Sequence, residues 1–162
     1  MVLPDAGRPE DGMTRAAPTT FSIRCYCSAV SLQADAPPTS VVHCHCGQCR
    51  RLSGAAFTTW VSFPRAALAT GSHEALSAFR ATPNVRRHFC RICGCHVFSE
   101  DARLPTILGV PAGALGDGSP ELRPSAHYFV DHRAAWHALG DELPRFGGES
   151  GVEPSAASRN SR

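Results

Sequence analysis

HCHCGQCRRLSG, residues His43 to Gly54, sets three cysteines (Cys44, Cys46 and Cys49) within six positions. Two residues between Cys46 and Cys49 allow a tight turn to aim both thiolates at one ion, and Gly47 relieves that turn. Outward from this stretch the pattern recurs. Cys90-Arg-Ile-Cys93 is a second knuckle, followed by Gly94 and Cys95, and Cys25-Tyr-Cys27 opens the series upstream. The eight cysteines make about 5 % of the chain, below the roughly 8–10 % of a disulfide scaffold. Residues 1–20 contain no apolar leader, so secretion is not expected and the thiols read as metal ligands of a cytoplasmic protein. Zinc suits the spacing; iron–sulfur clusters usually use other cysteine runs.

A structural zinc takes four protein ligands, whereas a catalytic one takes three and keeps a position open. Cys25, Cys27, Cys90 and Cys93 would make a closed four-thiolate site joining segments more than sixty residues apart, offsetting much chain entropy. Cys44, Cys46 and Cys49 would then form an open three-thiolate site. The count alone also allows Cys95 as a fourth ligand to the middle group.

The chain between the clusters is read as short strands. FTTWVSF (Phe57–Phe63) is the clearest, rich in aromatic and β-branched residues and followed by Pro64. Phe21–Arg24, Ala29–Ala34, Ala75–Arg80, Val85–Phe89, His96–Ser99, Thr106–Val110 and Ala126–Val130 are further candidates. Gln48 to Ser53 predicts one helical turn ended by Gly54. The sum is a mostly β fold of short antiparallel strands, with at most one or two short helical turns. Residues 1–20 and 147–162 read as disordered tails around a single domain over 21–146.

The balance of charge is mild, +2 over 162 residues, and all sixteen basic residues are Arg. Lysine Schiff-base chemistry and a Walker-type phosphate loop are therefore excluded. No lysine cluster or basic tail points to nucleic acid, and no run reaches the roughly 18 apolar residues of a membrane span.

The order C-x-C, then H-C-H-C-x-x-C-R-R-x-x-G, then F-C-x-x-C-G (Phe89 to Gly94) resembles the glutathione-dependent formaldehyde-activating enzyme family, also called the centromere protein V family. The segment HYFVDHRAAWHALGDELPRF (His127 to Phe146) is similar to that family's closing strand and tail, so the resemblance spans about residues 21–146. It implies an Mss4-like fold stapled by zinc at two sites. By position, Cys25, Cys27, Cys90 and Cys93 correspond to its structural site, and Cys44, Cys46 and Cys49 to its catalytic-type site. The implied reaction is that of a carbon–sulfur lyase, joining formaldehyde, a small aldehyde, to the thiol of glutathione in a detoxifying step. Where the family usually has Gly after the first C-x-C this chain has Ser28, at a turn where positive φ would be strained. Cys95 stands where Ser or Thr is common.

Glutathione carries two carboxylates, which calls for Arg forks near the open site. Arg50 and Arg51 follow Cys49, and Arg86 and Arg87 precede Cys90; Arg50, inside the motif, is the first choice for a ligand contact. His45, between two expected ligands, is a candidate to bond a thiolate or carry a proton. His43 has the same options or none. His88 and His96 read as structural, His127, His132 and His137 as packing or surface residues. Trp60, Phe57, Phe63 and Trp136 read as core, with Trp60 or Phe57 as alternative pocket walls. A non-catalytic zinc-stabilised binding module is the competing reading.

Overall fold

The computed structural model describes residues 20–69, 74–116 and 122–155. The fold is mostly β. β1 (Phe21–Arg24) and β2 (Ser31–Ala34) form an antiparallel hairpin, extended by β5 (Leu68–Ala69) into a three-stranded sheet. A seven-stranded sheet contains β3 (Ser40–Cys44), β4 (Thr58–Pro64), β6 (Leu76–Arg80), β7 (Val85–Cys90), β8 (His96–Asp101), β9 (Ile107–Pro111) and β10 (His127–Tyr128). Its order is β10-β3-β4-β9-β8-β7-β6; every pairing is antiparallel except β10 with β3. One short helix, α1 (Gly47–Ser53), joins β3 to β4. No helix among the described residues is long and apolar enough to cross a membrane.

Alternation along the central strands gives this sheet two faces. Val61 and Phe63 of β4, Leu108 and Val110 of β9 and Val97 of β8 are wholly buried against Ile23, Val30 and Leu32 of the small sheet and its turn. Each such side chain stabilises the fold by about 2 kcal/mol relative to exposure. The other face carries Trp60 and Ser62 on β4 and Gly109 on β9. Register places Val42 opposite Trp60, Ser62 opposite Gly109, Gly109 opposite Ser99, and Ser99 opposite Arg87. These residues form a floor running across five strands.

Two expectations about the chain's end are corrected. Ala126–Val130 is not one strand: only His127–Tyr128 pairs, Phe129 adopts φ 57, and a 3-10 turn follows over Val130–His132. Nor is 147 onward wholly a tail. β11 (Phe146–Gly147) pairs with β12 (Glu153–Pro154), and Gly151 and Ser155 are buried. The hairpin is held by Phe129 N–H donating to the Gly151 carbonyl and Gly148 N–H donating to the Asp131 carboxylate. Gly151, at φ 76, lies so close to the Phe129 ring that a Cβ there would enter it. A Gly- and Ser-rich composition thus serves a tight turn against an aromatic face. Residues 1–19 and 156–162 lie outside the described residues.

Candidate metal centre

Two groups of thiols converge as the spacing anticipated: Cys25, Cys27, Cys90 and Cys93 in one, and Cys44, Cys46 and Cys49 in the other, each with sulfurs within 4.8 Å of one another. A tetrahedral ion with sulfur ligands at 2.3 Å sets its sulfurs about 3.8 Å apart. Cys27 Sγ lies 3.7 Å from Cys25 Sγ and 3.8 Å from Cys90 Sγ, so the four-thiol group fits such an ion.

That group forms where the β1–β2 turn meets the end of β7, so it ties the small sheet to the large one. Cys90 is completely buried. Val30 N–H donates to Cys25 Sγ at 3.2 Å, and Gly94 N–H donates to the Cys90 carbonyl at 2.8 Å, shaping the two turns. Ser28 has φ 61, the conformation that disfavours a residue with a Cβ. Cys95 belongs to neither group; its thiol is half-buried against the core and donates to the His96 carbonyl at 3.6 Å.

The three-thiol group is built differently. Cys44 ends β3 and Cys46 caps α1, its sulfur accepting Cys49 N–H at 3.4 Å; Gly54 closes the helix in the left-handed conformation. Thr58 Oγ1 donates to the Cys49 carbonyl, and Trp60 Nε1 donates to Cys49 Sγ at 3.4 Å. Cys44 gives hydrogen bonds to Cys46 and Cys49 and is buried, which pushes its thiol up; Cys46, receiving bonds from Cys44 and then Cys49, is drawn down. One thiolate forms readily here, and all three require a cation to offset their repulsion. This trio opens on a cleft of about 800 Å³ whose floor is the outer face of the large sheet. Trp60, Arg87, Arg51, Tyr128 and Phe129 contribute to its walls.

Residues 20–132 match the sequence model of the family described as glutathione-dependent formaldehyde-activating enzyme. The chain belongs to that family. The family match ends at His132, short of the Arg133–Phe146 segment. A crystal structure of a Rhodobacter sphaeroides protein has a similar fold, with a TM-score of 0.50 and 21 % identity, covering 61 % of this chain and 91 % of that one. A search of curated proteins finds no match.

Within this family member, the residues nearest the cysteines in sequence are not all near the cleft. His45 is fully buried and absent from the cleft wall. Its Nε2 lies 2.8 Å from His127 Nδ1, and His127 Nε2 lies 3.0 Å from Asp141 Oδ1. Because the carboxylate can only accept, His127 Nε2–H donates to it, and its Nδ1 accepts from His45 Nε2–H. Burial chiefly, with the neighbouring His127 next, lowers His45 to about 4, so it is a neutral support. Its Nδ1 has no hydrogen-bond partner among the described residues. His43 bonds Thr59 Oγ1 and meets Phe57 edge-on and His127 at a tilt, in the same layer behind the Cys44–Cys46 segment. His127 is thus a bonded part of the site's support rather than plain packing.

Arg50 is also redirected: its guanidinium donates to the His132 carbonyl at 2.6 Å and does not line the cleft. Phe57 packs among histidines and is not in the cleft wall, whereas Trp60 is. Trp136, expected in the core, is 73 % exposed.

Proposed function

We propose that this protein catalyses the reversible addition of a small thiol to formaldehyde, with glutathione as the thiol, as the carbon–sulfur lyase that forms and cleaves S-hydroxymethylglutathione. The observation that carries this reading is the contrast in ligand number: four thiols converge in a group that joins two sheets, and three converge at the head of a cleft. On this reading both groups hold zinc, and the free thiols suit the reducing cytoplasm. Cys44, Cys46 and Cys49 would hold a zinc ion, whose positive charge would lower the pKa of an incoming thiol toward neutral pH.

The chain's own residues do the rest. Trp60 N–H fixes Cys49 Sγ, and Cys49 N–H fixes Cys46 Sγ, so the trio keeps its aim. The cleft holds the thiol and the aldehyde together, which lowers the entropic part of the barrier. The thiolate sulfur attacks the carbonyl carbon, a C–S bond forms, and the C=O π pair moves to oxygen. That oxygen takes up one proton, balancing the one lost by the thiol. His45 and His127, locked to Asp141 behind the strand, hold the loop bearing Cys44 and Cys46 rather than meeting the substrate.

Metal content of reduced, anaerobically purified protein, with zinc X-ray absorption before and after glutathione, tests the reading. The expected result is two zincs per chain, one of them gaining a sulfur neighbour, together with faster exchange between formaldehyde and its glutathione adduct by NMR. One zinc indifferent to thiol would overturn it and leave a zinc-stabilised binding module.

A further inference from the structure

Arg87 is 7 % exposed, contributes to the cleft wall, and makes no ion pair among the described residues. The neighbouring carboxylates on β8 are committed elsewhere. Glu100 bonds Arg65 and His88, and Asp101 is chelated by Arg103. The one hydrogen bond Arg87 makes among the described residues runs from Nη1 to Ser99 Oγ, at 2.9 Å; Nε is buried with no partner. A buried guanidinium normally requires a carboxylate, because removing its charge from water costs several kcal/mol.

The floor explains how Arg87 comes to lie at the site. In register Arg87, Ser99, Gly109 and Ser62 form one row; Trp60, two residues along β4 and opposite Pro111, lays its ring over Gly109, and the small residues of the row let the long Arg87 side chain reach it. A Cβ on Gly109 would already press on Trp60 at 3.1 Å. The Arg87 guanidinium ends over the Trp60 ring, 5.0 Å from its centre, while the indole N–H of the same ring bonds Cys49 Sγ. The unpaired cation therefore sits one indole away from a sulfur of the three-thiol group.

We propose that Arg87 is the recognition residue for a carboxylate on the tail of the thiol substrate, a subsite set beside the three-thiol group by Trp60. This rests on the thiol-addition reading. A carboxylate entering the cleft completes the charge balance that the fold leaves open, and Arg's planar fork suits it. The subsite selects a thiol with a carboxylate a few bonds from its sulfur over a neutral thiol of the same size.

Calorimetric binding to the zinc-loaded protein tests it, using glutathione, its diethyl ester and S-methylglutathione. Arg87→Met should weaken glutathione and S-methylglutathione by roughly 10- to 100-fold and change the ester little. Arg86→Met, which removes an exposed charge from the same strand, should leave this discrimination intact. Ser99→Asp keeps Arg87 but gives it an internal carboxylate, and should weaken the same two ligands should Arg87→Met not fold. Equal loss for acid and ester, or no loss in either variant, overturns the subsite. If S-methylglutathione binding depends on Arg87 while glutathione leaves the zinc unperturbed, the subsite stands and the thiol-addition reading fails. If glutathione perturbs the zinc and Arg87→Met has no effect on affinity, the reverse holds.

Discussion

The two cysteine groups use the same side chain for opposite ends. The four-thiol group joins a turn of the small sheet to the end of β7, with Cys25 and Cys90 buried. Its four sulfurs lie close enough together to surround one ion. The three-thiol group is carried by a single short segment, the end of β3 and the start of α1, and it faces a cleft. Crosslinking distant segments yields stability, whereas holding three ligands on one loop leaves a coordination position for chemistry. Their surroundings differ accordingly. Backbone groups and packing shape the first, while side chains that line the cleft (Trp60, and over it Arg87) surround the second.

Cys90→Ser should break the comparison most severely. It removes the buried ligand of the crosslink, and the expected outcome is loss of the cooperative thermal transition, read by calorimetry with zinc present. Cys46→Ser should spare the fold, lower the melting temperature by only a few degrees, remove one of two metal equivalents and cut formaldehyde–glutathione exchange by more than about 100-fold. A mutant of either group that behaved like the other would erase the distinction.

Acid should probe the histidine packed against Trp60 next. Burial, then the Arg87 charge, holds His96 at about 4, below its ordinary 6.5. Between these values the unfolded chain binds the extra proton, so His96 contributes stability that is complete above about pH 6.5 and lost as pH falls toward 4. The difference in unfolding free energy between wild type and His96→Asn should change by on the order of 2–3 kcal/mol across that window in denaturant titrations. A flat difference would remove His96 from the account.

Two smaller changes sharpen the contrast. Trp60→Phe keeps the ring but deletes the bond to Cys49 Sγ, and should weaken metal retention at the three-thiol group by about fivefold in chelator competition, about 1 kcal/mol. The four-thiol group should hold its metal unchanged. Ser28→Gly relieves the positive φ beside the four-thiol group and should raise stability by about 0.5–1 kcal/mol, seen as a higher melting temperature.

Much of this was legible in sequence because it rests on local rules. The spacing of Cys46 and Cys49 gave the turn, Gly54 gave the helix end, and aromatic and β-branched residues marked Phe57–Phe63, observed as the strand Thr58–Pro64. Ser28 was readable as strained from its place in a tight turn. Arg50 was misread because adjacency along a helix is not adjacency in space. One residue on from Cys49 turns the side chain by about 100°, which carries Arg50 to the His132 carbonyl instead of the cleft. His45 was misread for the corresponding reason in extended chain, where neighbours alternate sides and Cys44 and Cys46 take the cleft side. Asp141 gave no signal, since its partner lies fourteen residues away across irregular chain.

The sequence by itself determined the two ligand sets, the mostly β character and the family, because ligand spacing and strand periodicity are properties of short segments. Only the tertiary structure decided that Arg87 meets Trp60 in the cleft. Arg87 reaches Trp60 through the register of β7, β8, β9 and β4, and strand register is set by long-range pairing that no local pattern encodes.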